Sequence, residues 1–533
     1  MKVRKVSWKN YRRLHDGQIV IHDHLVLVGP NDSGKSSILW ALHLCLGVPG
    51  AQLATSVRPR DLTGQEDPLI LEVVLDVFTD DERAAFPDEI ELGPPDTLTI
   101  HLEAALDPDD SSVVKVERRF PFAGHNRSIS RAQFAAIGWD YVPATRSLLR
   151  ELGGTSAGVA RDLLLGLDLS ADKAAFDAAR DNYRSALGGS SAIGEFRTTL
   201  ADALSAALPR TVAVADVGVS SAADLLDNPL AGATVTLRDG DDVAPLADQS
   251  DGVRALSVLA LIGLSQANAR IVGIDEPETY LHMTAQRAVA ESLRVSGGQR
   301  IICTHSSAVV SQMDPLDVAA FGADRSVHQL PIGAHFSAFE VSARYWGHPM
   351  IEPLTATRVV LVEGVSDRII VARVAELTGV ELDRSGVAIF ELDGANMFTT
   401  ANRLFGAPGF DLALCGMVDS DAAESWATEL GVTRADLGAA GFVEVAPDLE
   451  GAYVGAFGVS RVIALLRSSG AYTEQQVLSA CGVPDVAALT PALLADFCRR
   501  HKTRAAIAIA HEMTASDAGA LTPVTDLLAI VSS

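Results

Sequence analysis

Apolar and polar residues alternate in strand fashion from the start of the chain, in Lys2-Val3-Arg4-Lys5-Val6-Ser7-Trp8 and again in Gln18-Ile19-Val20-Ile21. The uninterrupted apolar run Leu25-Val26-Leu27-Val28 reads as a buried strand, and Ser36 to Leu46 has helical spacing. Between them lies a glycine-containing loop, so the pattern predicts a strand, loop and helix unit. Further strands are expected at Leu69 to Phe78, Thr97 to Glu103, Thr211 to Val217, Ala233 to Leu237, Arg270 to Ile274 and Arg300 to Cys303. Helices are expected at Gly252 to Gln266 and Met283 to Val295, and an Ala-rich region, including Ala171 to Leu187 and Ile193 to Leu208, reads as amphipathic helices.

A polar, proline-containing stretch from His348 to Thr357 marks a boundary. A second alternation follows: strand Arg358 to Val362, helix Asp367 to Leu377, strand Val387 to Leu392, helix Asn396 to Phe405 and strand Asp411 to Val418. Alternating strands and helices predict an α/β fold in both parts. The expected domains are 1-347, with a helical, dimerisation-like insertion at 147-208, and a smaller 355-533 with a C-terminal helical extension.

Composition narrows the class. A chain of 533 residues that is 48% hydrophobic is expected to be a folded, soluble protein of two or three domains. Its five scattered cysteines show no metal or disulfide spacing, no apolar run has membrane-spanning length, and the basic start lacks the apolar core of a signal peptide. A cytoplasmic protein with no membrane partner is expected. The net charge of -25 argues against general attraction to a polyanion, but binding depends on local patches. Arg499-Arg500-His501-Lys502-Thr503-Arg504 is one such patch, although a charge run by itself is more often a solvated helix face.

Gly29-Pro30-Asn31-Asp32-Ser33-Gly34-Lys35-Ser36 satisfies the P-loop pattern directly after a buried strand and at the opening of a helix. The backbone N-H groups of such a loop surround phosphates, Lys35 reaches the β and γ phosphates, and Ser36 holds Mg²⁺. ATP is therefore the expected ligand, with Gly29, Asn31, Ser33, Gly34, Lys35, Ser36 and Ser37 around it. Ile271-Val272-Gly273-Ile274-Asp275-Glu276 ends an apolar strand with two carboxylates. Asp275 suits the Mg²⁺, and Glu276 suits polarisation of the attacking water. The plainer reading of that pair, a solvated strand end, loses weight with a P-loop upstream.

Three further pieces resemble the ABC ATPase superfamily, in its branch of repair and chromosome-maintenance ATPases. Gln249-Ser250-Asp251-Gly252-Val253-Arg254 resembles a divergent signature motif, with Ser250 and Gly252 at the positions that contact γ-phosphate from the opposite protomer. Glu276-Pro277-Glu278 leading to Leu281-His282 is similar to the sequence after the catalytic Glu, and Thr304-His305-Ser306 resembles the switch histidine. The resemblance implies ATP held between two heads, hence a homodimer or higher homo-oligomer. The signature lacks the usual Leu-Ser-Gly-Gly-Gln form, and only Gln65 offers itself as a Q-loop residue.

In the second domain, Val359-Val360-Leu361-Val362-Glu363-Gly364 places a carboxylate at a strand tip, with Asp367 one turn into the next helix. Cys415-Gly416-Met417-Val418-Asp419-Ser420-Asp421 ends another strand with two more. Hard oxygen ligands at strand ends suit Mg²⁺ or Mn²⁺. These residues, with Gly394, resemble the Toprim domain. An ATPase followed by Toprim resembles the overcoming-lysogenization-defect (OLD) nucleases, including the nuclease subunit of Gabija anti-phage systems. That resemblance implies a further metal acid, for which Glu450 in Asp448-Leu449-Glu450 is the counterpart, and a lysine that stabilises the phosphate transition state, for which Lys502 is the candidate. Tyr141-Val142-Pro143-Ala144-Thr145-Arg146 also resembles a family segment, without an assigned chemistry.

The expected function is an ATP-regulated, metal-dependent DNA endonuclease or nickase in phage defence or DNA repair, with a defence-system protein as a further partner. An ATP-dependent sensor or scaffold whose Toprim domain binds without cutting is the alternative. Topoisomerase chemistry needs a nucleophilic tyrosine, and Tyr453 and Tyr472 have no recognisable setting for it.

Overall fold

The computed structural model describes residues 1–532 except 65–66, 111, 123–128, 145–177, 179–181, 183–184, 222–232, 251, 255, 258–270, 280, 296, 323, 332–350 and 408. The chain divides into two compact units, Met1–Leu27 with Gly34–Val318, and Val28–Ser33 with Ala319–Ser533.

The first unit contains an antiparallel sheet with the spatial order Gly17–Val20, Lys2–Lys9, Leu69–Asp76, Leu98–Leu106, Val114–Arg119. The alternation seen in sequence is its cause: Leu69, Leu71, Val73 and Leu75, with Leu98, Ile100, Leu102 and Ala104, bury one face. Val114–Arg119 had no sequence signal, because its residues are mostly charged. A second sheet has a parallel core in the order Leu25–Val28, Gln299–Cys303, Ile271–Asp275, Trp139–Val142. Helix Lys35–Leu46 packs against strands of both sheets. Its apolar residues Ile38, Leu39, Ala41, Leu42, Leu44, Cys45 and Leu46 are accordingly buried all round.

Sequence and structure differ at several elements. Trp139–Val142 joins the parallel core beside Ile271–Asp275, with Tyr141 opposite Gly273, so the unassigned Tyr141 segment is in part a core strand. Residues 145–146 of it lie outside the described residues. Gly273 is required there, since a Cβ would stand 2.6 Å from the Trp139 ring. The strand expected from Thr211 starts only at Val217, after a 3-10 turn at Val214–Asp216. Ser191–Ala207 is helical, whereas the helix expected at 171–187 lies mostly outside the described residues. Beyond Ser257 the helix expected to Gln266 does too, as does Gln65.

The second unit holds a four-stranded parallel sheet in the order Val387–Glu391, Arg358–Val362, Leu414–Asp419, Phe442–Val445. Strand Leu414–Asp419 approaches its neighbour so closely that a Cβ at Gly416 would lie 2.3 Å from the Leu361 carbonyl oxygen. The C-terminal helices share this core. Phe497, Ile509 and Leu527 bury with Val362, Ile370 and Val374 in one cluster, so the helical extension is part of the sheet's own packing. Among the described residues no single helix is long and apolar enough to cross a membrane.

Candidate nucleotide and acidic sites

The P-loop turns through backbone that most residues avoid: Gly29 at φ 144°, Asp32 at 59° and Gly34 at 110°. Gly34 opens helix Lys35–Leu46, and a Cβ there would press to 2.2 Å on Leu14. Ser33 and Lys35 are buried, while Asn31 and Ser36 are exposed. Ser36 Oγ donates to Asp275 Oδ1 at 3.1 Å, which joins two of the predicted nucleotide-site residues. Burial draws the Lys35 ammonium below its ordinary value, against Cys303, Glu276, Asp275 and Glu278, which pull the other way. Burial also raises Asp275. Ser250 is exposed and Gly252 partly so, and their intervening Asp251 lies outside the described residues.

Glu276 carries φ 49°, a left-handed backbone that costs a non-glycine residue energy and that clusters at functional sites. Its N-H donates to the Cys303 carbonyl at 2.8 Å. Two residues on, Glu278 performs a task that the sequence does not reveal. Its Oε2 accepts from Thr304 Oγ1 at 2.8 Å and its Oε1 from the His305 N-H at 2.6 Å. The carboxylate therefore ties the segment after Glu276 to the turn that carries His305. Ser306 Oγ donates to Gln286 Oε1 at 2.6 Å and steadies the same turn. The signal in sequence was a second acid after a proline. Its partners, 26 and 27 residues away, could be found only in three dimensions. Glu278→Ala is expected to slow any ATP hydrolysis by about tenfold to a hundredfold with ATP binding retained, on the usual cost of losing a hydrogen bond to a charged group. Steady-state kinetics with separate nucleotide-binding titration checks this; a change confined to binding contradicts it.

In the second unit the acidic side chains lie at the carboxyl ends of parallel strands and at two helix starts. Glu363 follows Arg358–Val362, and its carbonyl accepts from Gly394 N-H at 3.0 Å, where Gly394 has φ 119°. Asp367, 4% exposed, accepts from the Gly364 N-H at 2.9 Å as it opens helix Val365–Thr378. Asp419 ends Leu414–Asp419, where the charges of Glu363 and Asp367 act on it. Glu450, 1% exposed, sits in the first turn of helix Leu449–Phe457, and its Oε1 has no hydrogen-bond partner among the described residues. Burial, then the charges of Glu363 and Asp367, lift Asp419 to about 8. Burial lifts Asp367 to about 6, and Lys502 opposes that shift. Glu450 is raised by burial as well. Burial works against the Lys502 charge, but Glu363, Asp367, Glu450 and Asp419 outweigh it and push the ammonium up. Glu363, Asp367, Asp419, Glu450 and Lys502 are thus one electrostatic group. Asp421, two residues beyond the strand end, is exposed.

Residues 25–311 match the family model described as "AAA domain, putative AbiEii toxin, Type IV TA system", which covers more than half of the chain. Residues 354–421 match "Overcoming lysogenization defect protein-like, TOPRIM domain". This chain belongs to the OLD-like ATPase–Toprim family. No curated protein matches it. Among solved structures, an Smc head bound to the C-winged helix domain of ScpA is 16% identical at TM-score 0.40, covering 61% of this chain and 97% of that one. The C-terminal region of the Burkholderia pseudomallei OLD protein is 22% identical at TM-score 0.28, covering 33% and 97%. The SMC head domain from Thermotoga maritima is 15% identical at TM-score 0.29, covering 60% and 94%.

In the OLD-like protein, the acidic group around Lys502 is the candidate site for a divalent ion. Among the described residues no three His, Cys, Asp or Glu side chains stand close enough together to hold a metal ion as they are placed. The donor chemistry nonetheless fits, because a buried carboxylate oxygen without a partner among the described residues and an acid raised to about 8 by burial and then by the charges of its neighbours are both costly without a cation. The middle of Asp419-Ser420-Asp421 is also held: Ser420 Oγ donates to Glu444 Oε1 at 2.6 Å, and Arg434 Nη2 donates to the Ser420 carbonyl at 3.1 Å. Nothing local in the sequence marks Glu444 or Arg434 for this role, since they meet Ser420 only in the fold.

A pH dependence follows. Asp367 and Asp419 have folded-state values above the ordinary carboxylate range, so the folded domain holds protons that the unfolded chain has released. Stability must then fall as pH rises from about 4 to 8. In chelator, the melting temperature of the OLD-like protein is expected to fall over this window, and Asp419→Asn to flatten the slope. Thermal melts at stepped pH check this, and a rise in melting temperature from pH 5.5 to 8 contradicts it.

Proposed function

We propose that this OLD-like protein is an ATP-regulated, divalent-metal-dependent DNA endonuclease or nickase. The observation that carries the reading is that Glu363, Asp367, Asp419 and Glu450, at strand ends and helix starts of one unit, all act electrostatically on Lys502. Four acids with one half-buried cation suit binding of a divalent ion, with a remaining positive charge for a phosphate. Mg²⁺ or Mn²⁺ bound there supplies Lewis-acid stabilisation of a phosphoryl oxygen and eases deprotonation of a water. Glu363, Asp367, Asp419 and Glu450 would hold it, and the exposed Asp421 is a further candidate ligand. Lys502 neutralises charge that develops on the phosphate.

ATP would occupy the P-loop, with Lys35 against its phosphates, Ser36 and Asp275 toward Mg²⁺, Glu276 orienting water and His305 sensing the γ-phosphate. Ser250 and Gly252 would serve the site of a second copy, making the working unit a homodimer or larger assembly in which nucleotide state governs cutting. Phage defence, with or without a partner protein, and DNA repair are the roles in which such an activity fits.

The test uses purified full-length protein and supercoiled plasmid, with Mg²⁺ or Mn²⁺ and with no nucleotide, ATP or ADP. Conversion to nicked or linear DNA is expected, with a rate that depends on nucleotide. Intact plasmid under every condition overturns the reading and leaves an ATP-dependent sensor or scaffold in its place.

A further inference from the structure

The basic run 499–504 is mostly engaged inside its own unit. Arg500 donates to the Asp496 and Ala480 carbonyl oxygens. Arg504 lies over the Tyr472 ring and donates to the Ala471 carbonyl at 2.8 Å. His501 packs between Tyr472 and Phe497, with ring centroids 5.5 and 4.7 Å away. Arg499 has a different partner. Its Nε and Nη2 both reach Asp448 Oδ2 at 2.7 Å, and it also pairs with Asp496.

Asp448 is the N-cap of helix Leu449–Phe457, and its other oxygen, Oδ1, accepts from the Gly451 N-H at 2.7 Å. One carboxylate thus divides its two oxygens between the start of the helix bearing Glu450 and the end of the helix bearing Arg499. Helix Lys502–Glu512 begins three residues after Arg499, and Lys502 is its first residue. We infer that Arg499 is a positioning residue: through Asp448 it sets Glu450 and Lys502 relative to each other, and so tunes the affinity of the acidic group for a divalent cation. An exposed ion pair by itself contributes little. This one closes a junction between a helix N-terminus and a helix C-terminus, where its two charges also complement the helix dipoles. Partners of this kind behind metal-binding acids typically change metal affinity by about 10- to 100-fold.

The inference rests on the metal-dependent nuclease reading, and the experiment separates the two. Mn²⁺ alone is titrated calorimetrically into the full chain, and plasmid nicking is followed against Mn²⁺ concentration. Wild type is compared with Arg499→Ala, Arg499→Lys, Asp448→Asn and, as a neighbouring-charge control, Arg500→Ala. Arg499→Ala and Asp448→Asn should each raise the half-saturating Mn²⁺ concentration about tenfold or more, with the maximal rate largely recovered at excess Mn²⁺. The double variant should be no worse than either single one, Arg499→Lys should recover part of the loss, and Arg500→Ala should keep wild-type affinity. Asp448→Asn keeps an oxygen for Gly451 and so tests the junction even where Arg499→Ala does not fold. An unchanged affinity in folded Arg499→Ala or Asp448→Asn, or an equal loss in Arg500→Ala, overturns the inference while leaving the nuclease reading intact. Absence of both Mn²⁺ binding and nicking in the wild type brings down the nuclease reading first.

Discussion

Asp419→Ala is expected to abolish plasmid cleavage, by about 10³-fold or more, and to leave ATP binding unaltered. Asp419 stands at a strand end, and of its group it is the acid raised furthest, by burial and then by the charges of Glu363 and Asp367. Its removal takes a ligand from any ion held there, and it also relieves repulsion among the remaining acids. The variant should therefore be at least as stable as the wild type above pH 7 in chelator. Loss of activity accompanied by gain of stability is a combination that mere misfolding cannot produce. Glu363→Ala should behave alike, and Lys502→Ala should lose about 10²- to 10³-fold through unbalanced charge at the phosphate. Nicking kinetics beside thermal melts check the set. Persistent cleavage by Asp419→Ala would remove this group from the chemistry.

The second large effect concerns Glu276. Glu276→Gln keeps the shape of the side chain and removes its basicity, so ATP binding should persist while hydrolysis falls by about 10²- to 10⁴-fold. Glu276→Gly should lose hydrolysis as fully but melt at a higher temperature, because glycine adopts φ 49° without the penalty that glutamate bears. If Glu276→Gln hydrolyses ATP at the wild-type rate, another group orients the water. If Glu276→Gly is less stable than the wild type, the backbone there is not a source of strain.

Several of these residues were legible from the chain alone. The P-loop could be read because one short segment contains every element its chemistry needs. Asp275 and Glu276 follow a strand whose apolar residues announce burial, so two charges at its end stand out. Glu363 and Asp419 could be read for the same reason. Glu450 and Lys502 were named only through family resemblance, because neither follows a strand and nothing local distinguishes them from other charges on helices.

The tertiary structure decided which charges belong to which task. The run 499–504 had the composition of a polyanion patch, yet Arg499, Arg500 and Arg504 bond to Asp448, to backbone carbonyls and over an aromatic ring. Only packing of the C-terminal helices against the parallel sheet brings Lys502 among the acids. In the same way, Glu278 reads as one more acid beside Glu276 until two adjacent parallel strands carry it to His305. The sequence by itself determined the two α/β domains, the phosphate loop and the strand-end carboxylates, because periodicity and short motifs are local properties of the chain. The pairing of Glu278 with His305, the grouping of Glu450 with Lys502, and the service of Arg499 to Asp448 join residues far apart in sequence, and only the folded core fixes those distances.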